Sequence, residues 1–340
     1  MRSQPRVAPT IQDVADAAGV SIASVSRVLN GLTTNEETIR RVRAAVGEVG
    51  YVTNAAAKSL KTRHTDQIAF AVENIGNAAY LAMVRAIQPV LRTAGYRLLL
   101  HSTDADVDDE IEVLRSLGQR YVDGLVLCPL RITDRHAEEL RRAQVPVVVI
   151  GQLPAGIPAD NVRADSRTGS ALAVRHLVDS GRRRIAFIDG PVDTVPGEAR
   201  YRGYVEGLEA CGIGVDEALI EFADFQVAGG AEAMSRLLQR AELDAVFAAN
   251  DLMALGAMQA LRAAGRSIPG DVAVVGMDDT DLAETAWPPL TSVSLGSSER
   301  GRLAADLLLQ RLTDGSRPFV RTTVPPRLHI RGSSSEGATP

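Results

Sequence analysis

The sequence predicts a small all-helical domain at the N-terminus, followed by a larger α/β domain with parallel sheets. Residues 10–50 show helical periodicity with capping residues at the helix ends. From Gln67 onward, short apolar β-rich runs alternate with amphipathic helical segments, which is typical of parallel strands joined by helical crossovers. A chain of 340 residues is also too long for one typical domain, so two or three domains are expected.

The stretch from Thr10 to Asn30 predicts two short helices separated by a tight turn. Thr10 can cap the first helix, Gly19 can end it in a left-handed conformation, and Ser21 can cap the second helix. Apolar residues at helical spacing predict a buried stripe on each helix: Ile11, Val14, Ala15 and Ala18 on the first, and Val25, Val28 and Leu29 on the second.

The outward face of the second helix carries short or hydrogen-bonding side chains and one arginine. With Thr10 at the start of the first helix, they form a candidate DNA-binding set: Thr10, Ser21, Ile22, Ala23, Ser24, Ser26, Arg27 and Asn30. A helix-turn-helix inserts such a face into the major groove, where small apolar groups contact thymine methyls and arginine donates to guanine or phosphate. The alternative is an ordinary pair of helices in a helical domain.

A third helix and a polar tether follow. Asn35 can cap the helix and Gly50 can end it. Its inward residues are Ile39, Val42 and Val46. Three arginines on or near its outer side can contact phosphate or simply face solvent: Arg40, Arg41 and Arg43. In the tether, residues 51–65, Asn54 can cap a helix that is too short to be stable alone in water.

Charge is distributed unevenly along the chain. Residues 1–63 contain nine basic and five acidic residues, a net charge of +4, which leaves −9 for the remainder of a chain whose net charge is −5. A basic N-terminal region on an acidic body is the asymmetry expected of a DNA-binding domain attached to a separate sensor domain.

The α/β region predicts two lobes with a cleft between them. The runs predicted as strands are QIAFAVE, YRLLLHS, DGLVLCP, VPVVVIG, RIAFIDG, LDAVFAA and DVAVVGM. Four of them precede residue 160 and three follow it, so each set is small enough to form its own doubly wound parallel sheet.

Ligands of open α/β sheets bind beyond the carboxyl ends of the strands, which selects specific segments. These segments carry carboxylates, amides and one guanidinium: residues 74–80, Ser102, Thr103, Asp104, Gly151, Gln152, Asp165, Arg200, Asn250, Asp251, Asp278 and Asp279. Such paired donors and acceptors suit a polyol, sugar or nucleoside, and Phe225 can stack on the apolar face of a ring. Asn250 or Asp251 can equally cap the next helix, and one aspartate of the pair Asp278–Asp279 can be structural.

Several function classes lack support in the sequence. No run of about 18 apolar residues predicts a transmembrane helix, and the first ten residues lack the apolar core of a secretion signal. Cys128 and Cys211 do not suggest a disulfide framework, which fits a reducing cytoplasm, and the five histidines are scattered, so no metal site is expected. No G-x-S-x-G, Walker loop or H-E-x-x-H motif points to an enzyme, and no cofactor is expected.

The chain resembles the Lac repressor (LacI/GalR) family of bacterial transcription regulators. The resemblance is carried by TIQDVADAAGVSIASVSRVLNG and TIRRVRAAVGEVGYVTNAAAKSL, and continues in AGYRLLL, VDGLVL, AVFAANDLMALGAM, VVGMDD and PPLTSV. These motifs occur in the family's order and at its separations, and they span nearly the whole chain.

The resemblance implies a helix-turn-helix domain (1–53), a hinge helix and linker (54–65), and a two-lobed sensor that resembles periplasmic binding proteins (66–332). Lobe one is expected at 66–164 plus 295–323, and lobe two at 165–294 plus 324–332, with a disordered tail at 333–340. The hinge helix would insert into the minor groove with Asn54, Ala57 and Leu60, where Leu60 acts as a wedge between base pairs. Thr53 departs from the family, which usually has proline there.

The resemblance also implies an effector site between the lobes. Arg200, Asn250 and Asp278 match the family's effector-contacting positions, and Asp165 and Phe225 are further candidates. In lobe one the family usually has an Asn-Pro-aromatic-aromatic signature. Here the segment reads Asn77-Ala78-Ala79-Tyr80, which leaves Asn77 and Tyr80 as candidates and removes one aromatic contact.

These observations predict a cytoplasmic, ligand-responsive transcription regulator, most simply a repressor, that binds a pseudo-palindromic operator as a homodimer. Its effector would be a sugar, a sugar derivative or a nucleoside, whose binding changes the affinity for DNA. The tail lacks the leucine heptads that build tetramers in some relatives. The alternatives are a small-molecule binding protein without specific DNA recognition, and an enzyme that processes sugars or nucleosides.

Overall fold

The computed structural model describes residues 9–29, 31–32, 35–52 and 64–335, and the chain divides into two compact units, residues 1–65 and 66–340. The predictions for Asn30, Asn54, Ala57 and Leu60, and with them the hinge helix, lie outside the described residues. In the described ranges, no helix is both long enough and apolar enough to cross a membrane.

The described residues of the first unit form three helices: α1 (Ile11–Ala18), α2 (Ile22–Leu29) and α3 (Glu36–Val49). Thr10 and Asp13 form a reciprocal capping box at the start of α1, and Gly19 ends it at φ +61°. Asn35 caps α3 by accepting a hydrogen bond from the Thr38 amide at 3.1 Å. The three helices bury a small common core: Val14, Ala15, Ala18, Val25, Val42 and Ala45.

Two arginines of α3 have partners within this unit. The Arg41 guanidinium donates to the carbonyl of Gly19 at 3.1 Å, which ties α3 to the turn between α1 and α2. Arg40 forms an exposed ion pair with Glu37 at 2.7 Å. Arg41 therefore has a structural role that its position in the sequence did not indicate.

In the part of the second unit that the structure describes, the strands form two six-stranded sheets. The strands of the first sheet, in spatial order, are β11 (Arg321–Val324), β5 (Asp160–Ala164), β4 (Val147–Ile150), β3 (Gly124–Cys128), β1 (Gln67–Val72) and β2 (Arg97–Ser102). The order in the second sheet is β12 (Arg327–His329), β10 (Thr291–Ser294), β9 (Ala273–Met277), β8 (Ala245–Ala248), β6 (Ile185–Asp189) and β7 (Ile220–Phe222). All strand pairs are parallel except β10–β12, which confirms the predicted architecture and adds one antiparallel edge.

Helices cover the sheets, as expected for parallel strands. The helices of this unit are α4 (Ala78–Thr93), α5 (Val107–Ser116), α6 (Asp134–Arg142), α7 (Ser166–Asp179), α8 (Val195–Ala210), α9 (Val227–Arg240), α10 (Asp251–Ala263), α11 (Asp281–Thr285) and α12 (Ser297–Thr313). The chain passes between the two sheets three times, after β5, β10 and β11. Helix α12 follows the second passage and packs on α4 and on the first sheet.

The residues after Arg331 differ from expectation. The polar tail was expected to be disordered from residue 333, but Ser333 and Ser334 are buried. The backbone and hydroxyl of Ser333 bond to strand β9 and to Thr291, and the hydroxyls of Ser334 and Thr291 lie 2.6 Å apart. Small polar side chains can thus complete a sheet edge, because their hydroxyls satisfy backbone groups that would otherwise be unpaired.

Candidate functional site

The first candidate site is the outward face of α2. Ile22, Ala23 and Arg27 are exposed, whereas Val25 is buried against the other helices. Ser21 begins the helix and accepts a hydrogen bond from the Ser24 amide at 3.1 Å. Ser24, Ser26, Val28 and Leu29 are half-buried, so the predicted faces agree with the burial at Ile22, Ala23, Val25 and Arg27 and are not distinguished at the other positions. The capping side chain of Thr10 is also exposed.

The second candidate site is a cavity of about 120 Å³ at the carboxyl ends of strands from both sheets. Six of the seven predicted effector residues line it: Asn77, Tyr80, Arg200, Phe225, Asn250 and Asp278. The seventh, Asp165, does not, because its carboxylate caps α7 through the amide and hydroxyl of Thr168. Its neighbours Ala164 and Ser166 do reach the cavity wall.

A buried ion pair lies on the lobe-two side of the cavity. The Arg200 guanidinium lies 3.3 Å from the Asp278 carboxylate, and both side chains are at least nine-tenths buried. Burial raises the pKa of Asp278, and the nearby cations of Arg200 and Arg300 oppose that rise. The Nε of Arg200 is buried and has no hydrogen-bond partner among the described residues.

Phe225 and Asn250 form a coupled pair on the same side. The Asn250 side chain caps α10 by accepting from the Met253 amide at 2.8 Å and donates to the Phe225 carbonyl at 2.9 Å. Phe225 has a φ of +65°, and its ring lies directly over Gly190, where a Cβ atom would meet it at 1.9 Å. The ring lies 5.6 Å from the Arg200 guanidinium. Asn250 thus holds in place the aromatic surface on which a ligand ring can stack.

Two pairs of neighbouring polar residues, Asn250–Asp251 after β8 and Asp278–Asp279 after β9, divide their roles. Asp251 is buried and accepts hydrogen bonds from Thr280 and Ser292, and burial raises its pKa to about 7. Asp279 pairs with Arg331 at 2.8 Å. In each pair, one aspartate or asparagine lines the cavity while its neighbour holds surrounding segments together.

Lobe one supplies the opposite wall. Asn77 caps α4 by accepting from the Ala79 amide at 3.0 Å, and Tyr80 is buried one turn later. Glu73 directly follows β1, burial raises its pKa, and the nearby Tyr80 hydroxyl opposes that rise. Burial also raises the pKa of the Cys128 thiol at the end of β3 to about 12, so that thiol stays protonated at neutral pH.

The cavity contains residues that the sequence analysis did not single out. Glu73 and Cys128 lie at carboxyl ends of strands, so the rule that selected the other candidates also applies to them. Arg300 lies inside α12, where no motif marked it, and its burial emerges only from the fold. The two lobes also bond to each other beside the cavity, through the Val195 amide and Leu130 carbonyl at 2.8 Å.

Comparisons with known proteins agree with this architecture. Residues 10–54 match the family described as bacterial regulatory proteins, lacI family, and residues 174–334 match the periplasmic binding protein-like domain. The HTH-type transcriptional regulator CelR of Thermobifida fusca is 40% identical over 335 residues, which cover 96% of this chain and 98% of the relative. The ribose operon repressor of Escherichia coli K12 is 35% identical over 328 residues, covering 96% of this chain and 99% of the relative.

Solved structures are similar over the same length. The Lac repressor dimer bound to operator and the anti-inducer ONPF has a TM-score of 0.86 at 27% identity, covering 96% of this chain and 99% of that chain. The CelR–cellobiose complex has a TM-score of 0.73 at 38% identity, with the same coverages of 96% and 99%.

A helix-turn-helix unit followed by two α/β lobes around a polar cavity defines a ligand-responsive, DNA-binding transcription regulator. The predicted resemblance is confirmed: the chain belongs to the LacI family of bacterial regulatory proteins.

Proposed function

We propose that this protein represses transcription by binding a pseudo-palindromic operator as a homodimer, and that a small polyhydroxyl effector in the cavity changes its affinity for the operator. The observation that carries the effector role is that six of the predicted effector residues line one cavity. They are Arg200, Asn250, Asp278, Phe225, Asn77 and Tyr80. Donors, acceptors and an aromatic face in a small enclosed space match the chemistry of a single sugar-like ring.

The names of the relatives support this class of effector and operator. The Escherichia coli relative is a ribose operon repressor, CelR was solved with cellobiose, and the Lac repressor was solved as a dimer on its operator. We infer that the protein works in the cytoplasm, where it can reach chromosomal DNA, and that the effector leaves the site chemically unchanged.

The effector binds one conformation of the protein more tightly than another, because a ligand shifts an equilibrium only through such a difference. The carboxylate of Asp165 already caps α7. We keep Asp165 among the proposed effector residues because it is next to Ser166 in the chain, and Ser166 lines the cavity. The proposed DNA contacts are Thr10, Ser21, Ile22, Ala23, Ser24, Ser26 and Arg27, with Asn30, Asn54, Ala57 and Leu60.

The testing experiment selects operators from random duplex DNA with the full-length protein. Binding to the enriched duplex is then measured against a panel of sugars, sugar acids, sugar phosphates and nucleosides. An enriched palindrome whose affinity changes with one compound is the expected result. Failure to enrich any sequence at low salt would favour a binding protein without DNA recognition, and chemical conversion of the bound compound would favour an enzyme.

A matched pair of arginine variants tests the DNA-binding face. Arg27→Ala removes an exposed cation of α2, and we expect operator affinity to fall by about tenfold or more, as for a lost base or phosphate contact. Arg40→Ala is the control, because Arg40 is exposed on α3 and paired with Glu37. Equal losses in both variants would contradict the assignment of α2 as the recognition helix.

A further inference from the structure

The buried guanidinium of Arg300 distinguishes this cavity from one built for a neutral ligand. Arg300 lies in the first turns of α12, is only 8% exposed and lines the cavity. It donates to the carbonyl of Leu295 and to the hydroxyl of Ser297, both at 3.1 Å. None of the carboxylates in the described part of the chain forms an ion pair with it.

The surroundings of Arg300 do not favour its charge. Burial lowers its pKa, the negative charge of Asp278 opposes this change, and the cation of Arg200 adds to it. The N-terminal end of a helix carries partial positive charge, so a cation in the first turns of α12 gains nothing from the helix dipole. Asp278 is the nearby counter-charge, but it already lies against Arg200 at 3.3 Å. Of the two guanidiniums that line the cavity, Arg200 has a carboxylate partner, whereas Arg300 has none among the described residues.

A carboxylate also lines the cavity. Glu73 directly follows β1, and burial raises its pKa. No ion pair of Glu73 is found in the described part of the chain, so its oxygens can accept hydrogen bonds from ligand hydroxyls. A ligand that matches both side chains carries hydroxyls for Glu73 and a negative charge for Arg300.

We propose that the effector is a polyhydroxylated carboxylic acid, such as an aldonate or uronate, whose carboxylate binds the guanidinium of Arg300. This proposal rests on the proposed effector function of the cavity and specifies its ligand. A carboxylate supplies one negative charge, which matches the one guanidinium without an ion pair, whereas a phosphate monoester supplies nearly two. The cavity of about 120 Å³ is also small, which favours a ligand of about one sugar unit.

The test measures binding of matched compounds to the full-length protein by calorimetry: D-gluconate against D-glucose, D-galactonate against D-galactose, the corresponding uronates, and D-glucose 6-phosphate. We expect an acid to bind at least tenfold more tightly than its neutral counterpart, and this preference to disappear in Arg300→Met. Arg302→Met is the control, because Arg302 is exposed on the same helix and pairs with Asp306 at 2.8 Å. Tighter binding of the neutral sugar or of the phosphate, or an unchanged acid preference in Arg300→Met, would overturn the proposal.

A second measurement separates ligand binding from a structural role. Removal of a buried, unpaired charge from the ligand-free protein should leave its melting temperature unchanged or raise it, because the desolvation cost of that charge disappears. A fall of several degrees in ligand-free Arg300→Met would assign Arg300 to the structure of α12 instead. If a sugar acid binds tightly but does not change the affinity for the operator, the proposed site for a carboxylate is supported and the proposed regulatory function is contradicted.

Discussion

Some residues that line the cavity both stabilise the local structure and are available to contact a ligand. Asn250 caps a helix and fixes the Phe225 carbonyl, and its position also lines the cavity. Phe225 and Asp278 adopt φ values of +65° and +99°, which cost about 1–3 kcal/mol each for residues other than glycine. Such conformations persist only where surrounding contacts enforce them. The cavity wall is therefore held in shape before a ligand arrives.

Arg200 is the residue whose loss should separate the two functions of the protein. Arg200→Ala removes the buried partner of Asp278 and a guanidinium that lines the cavity, so we expect the effector response of operator binding to disappear. Operator affinity without effector should remain, and a gel-shift titration with and without effector measures both. Arg202→Ala, which removes an exposed arginine paired with Glu198, serves as the control. Equal loss of operator binding in the Arg200 variant would show that Arg200 supports the fold instead of the ligand.

Asp189 should make stability depend on pH. Its carboxylate is fully buried, Oδ1 accepts from the Gly190 amide at 2.8 Å and Oδ2 has no partner among the described residues. Burial raises its pKa to about 7 from 3.8. Between those values the folded chain holds a proton that the unfolded chain has released. The contribution of Asp189 to the free energy of unfolding therefore decreases as pH rises, by up to ~1.4 kcal/mol per pH unit, and this decrease levels off above pH 7.

Asp189→Asn removes this titration, so the variant should gain stability over the parent at pH 8 and gain less at pH 5. Thermal unfolding at the two pH values measures the difference. Asp271→Asn is the control, because the pKa of that exposed carboxyl is lowered by hydrogen bonds from Ser267 and it stays ionised throughout this range. The same stability difference at both pH values in Asp189→Asn would contradict a raised pKa in the folded protein.

At the scale of elements, the sequence predicted the strands whose apolar residues follow directly from their burial in the sheet. Strands such as Gly124–Cys128 and Val147–Ile150 are continuous apolar runs because helices cover both faces of the sheet. The strand Asp160–Ala164 has no such pattern, since Asp160 is buried by pairing with Arg311 and Arg317 from distant parts of the chain. Burial of the Asp160 carboxylate is favourable only when those arginines pair with it. The local sequence therefore cannot predict this strand. The burial of Arg300 likewise depends on the folded structure, so the local sequence did not predict it.

The connection between the lobes beside the cavity should control how fast a ligand leaves. Arg131 of lobe one forms two hydrogen bonds to Asp193 of lobe two, at 2.8 and 3.1 Å, close to the backbone bond between Val195 and Leu130. The ion pair is solvent-exposed, so its contribution is modest. Asp193→Asn should raise the dissociation rate of the effector about two- to fivefold, as measured by stopped-flow. Glu138→Gln breaks an exposed pair within α6 and should leave the rate unchanged, and equal rates in all three proteins would exclude a role for this contact.

At the scale of the whole molecule, charge separates the two functions along the chain. The first 63 residues carry +4 and the remainder carries −9, so the acidic body contributes repulsion toward DNA while the N-terminal unit supplies the attraction. The charged groups of the cavity, in contrast, are buried and are screened little by salt. Operator binding and effector binding should therefore respond differently to ionic strength.

Raising the salt concentration tests this separation in one protein. Each phosphate contact releases counterions, so operator affinity should fall by about tenfold or more between 50 and 200 mM salt. Effector affinity should change by less than about twofold over the same range, because the Arg200–Asp278 pair and Arg300 lie out of solvent. Fluorescence anisotropy on the operator and calorimetry on the effector measure the two affinities in identical buffers. Operator affinity independent of salt would contradict binding through the basic N-terminal unit, and a steep decline of effector affinity would place the ligand's charge in solvent.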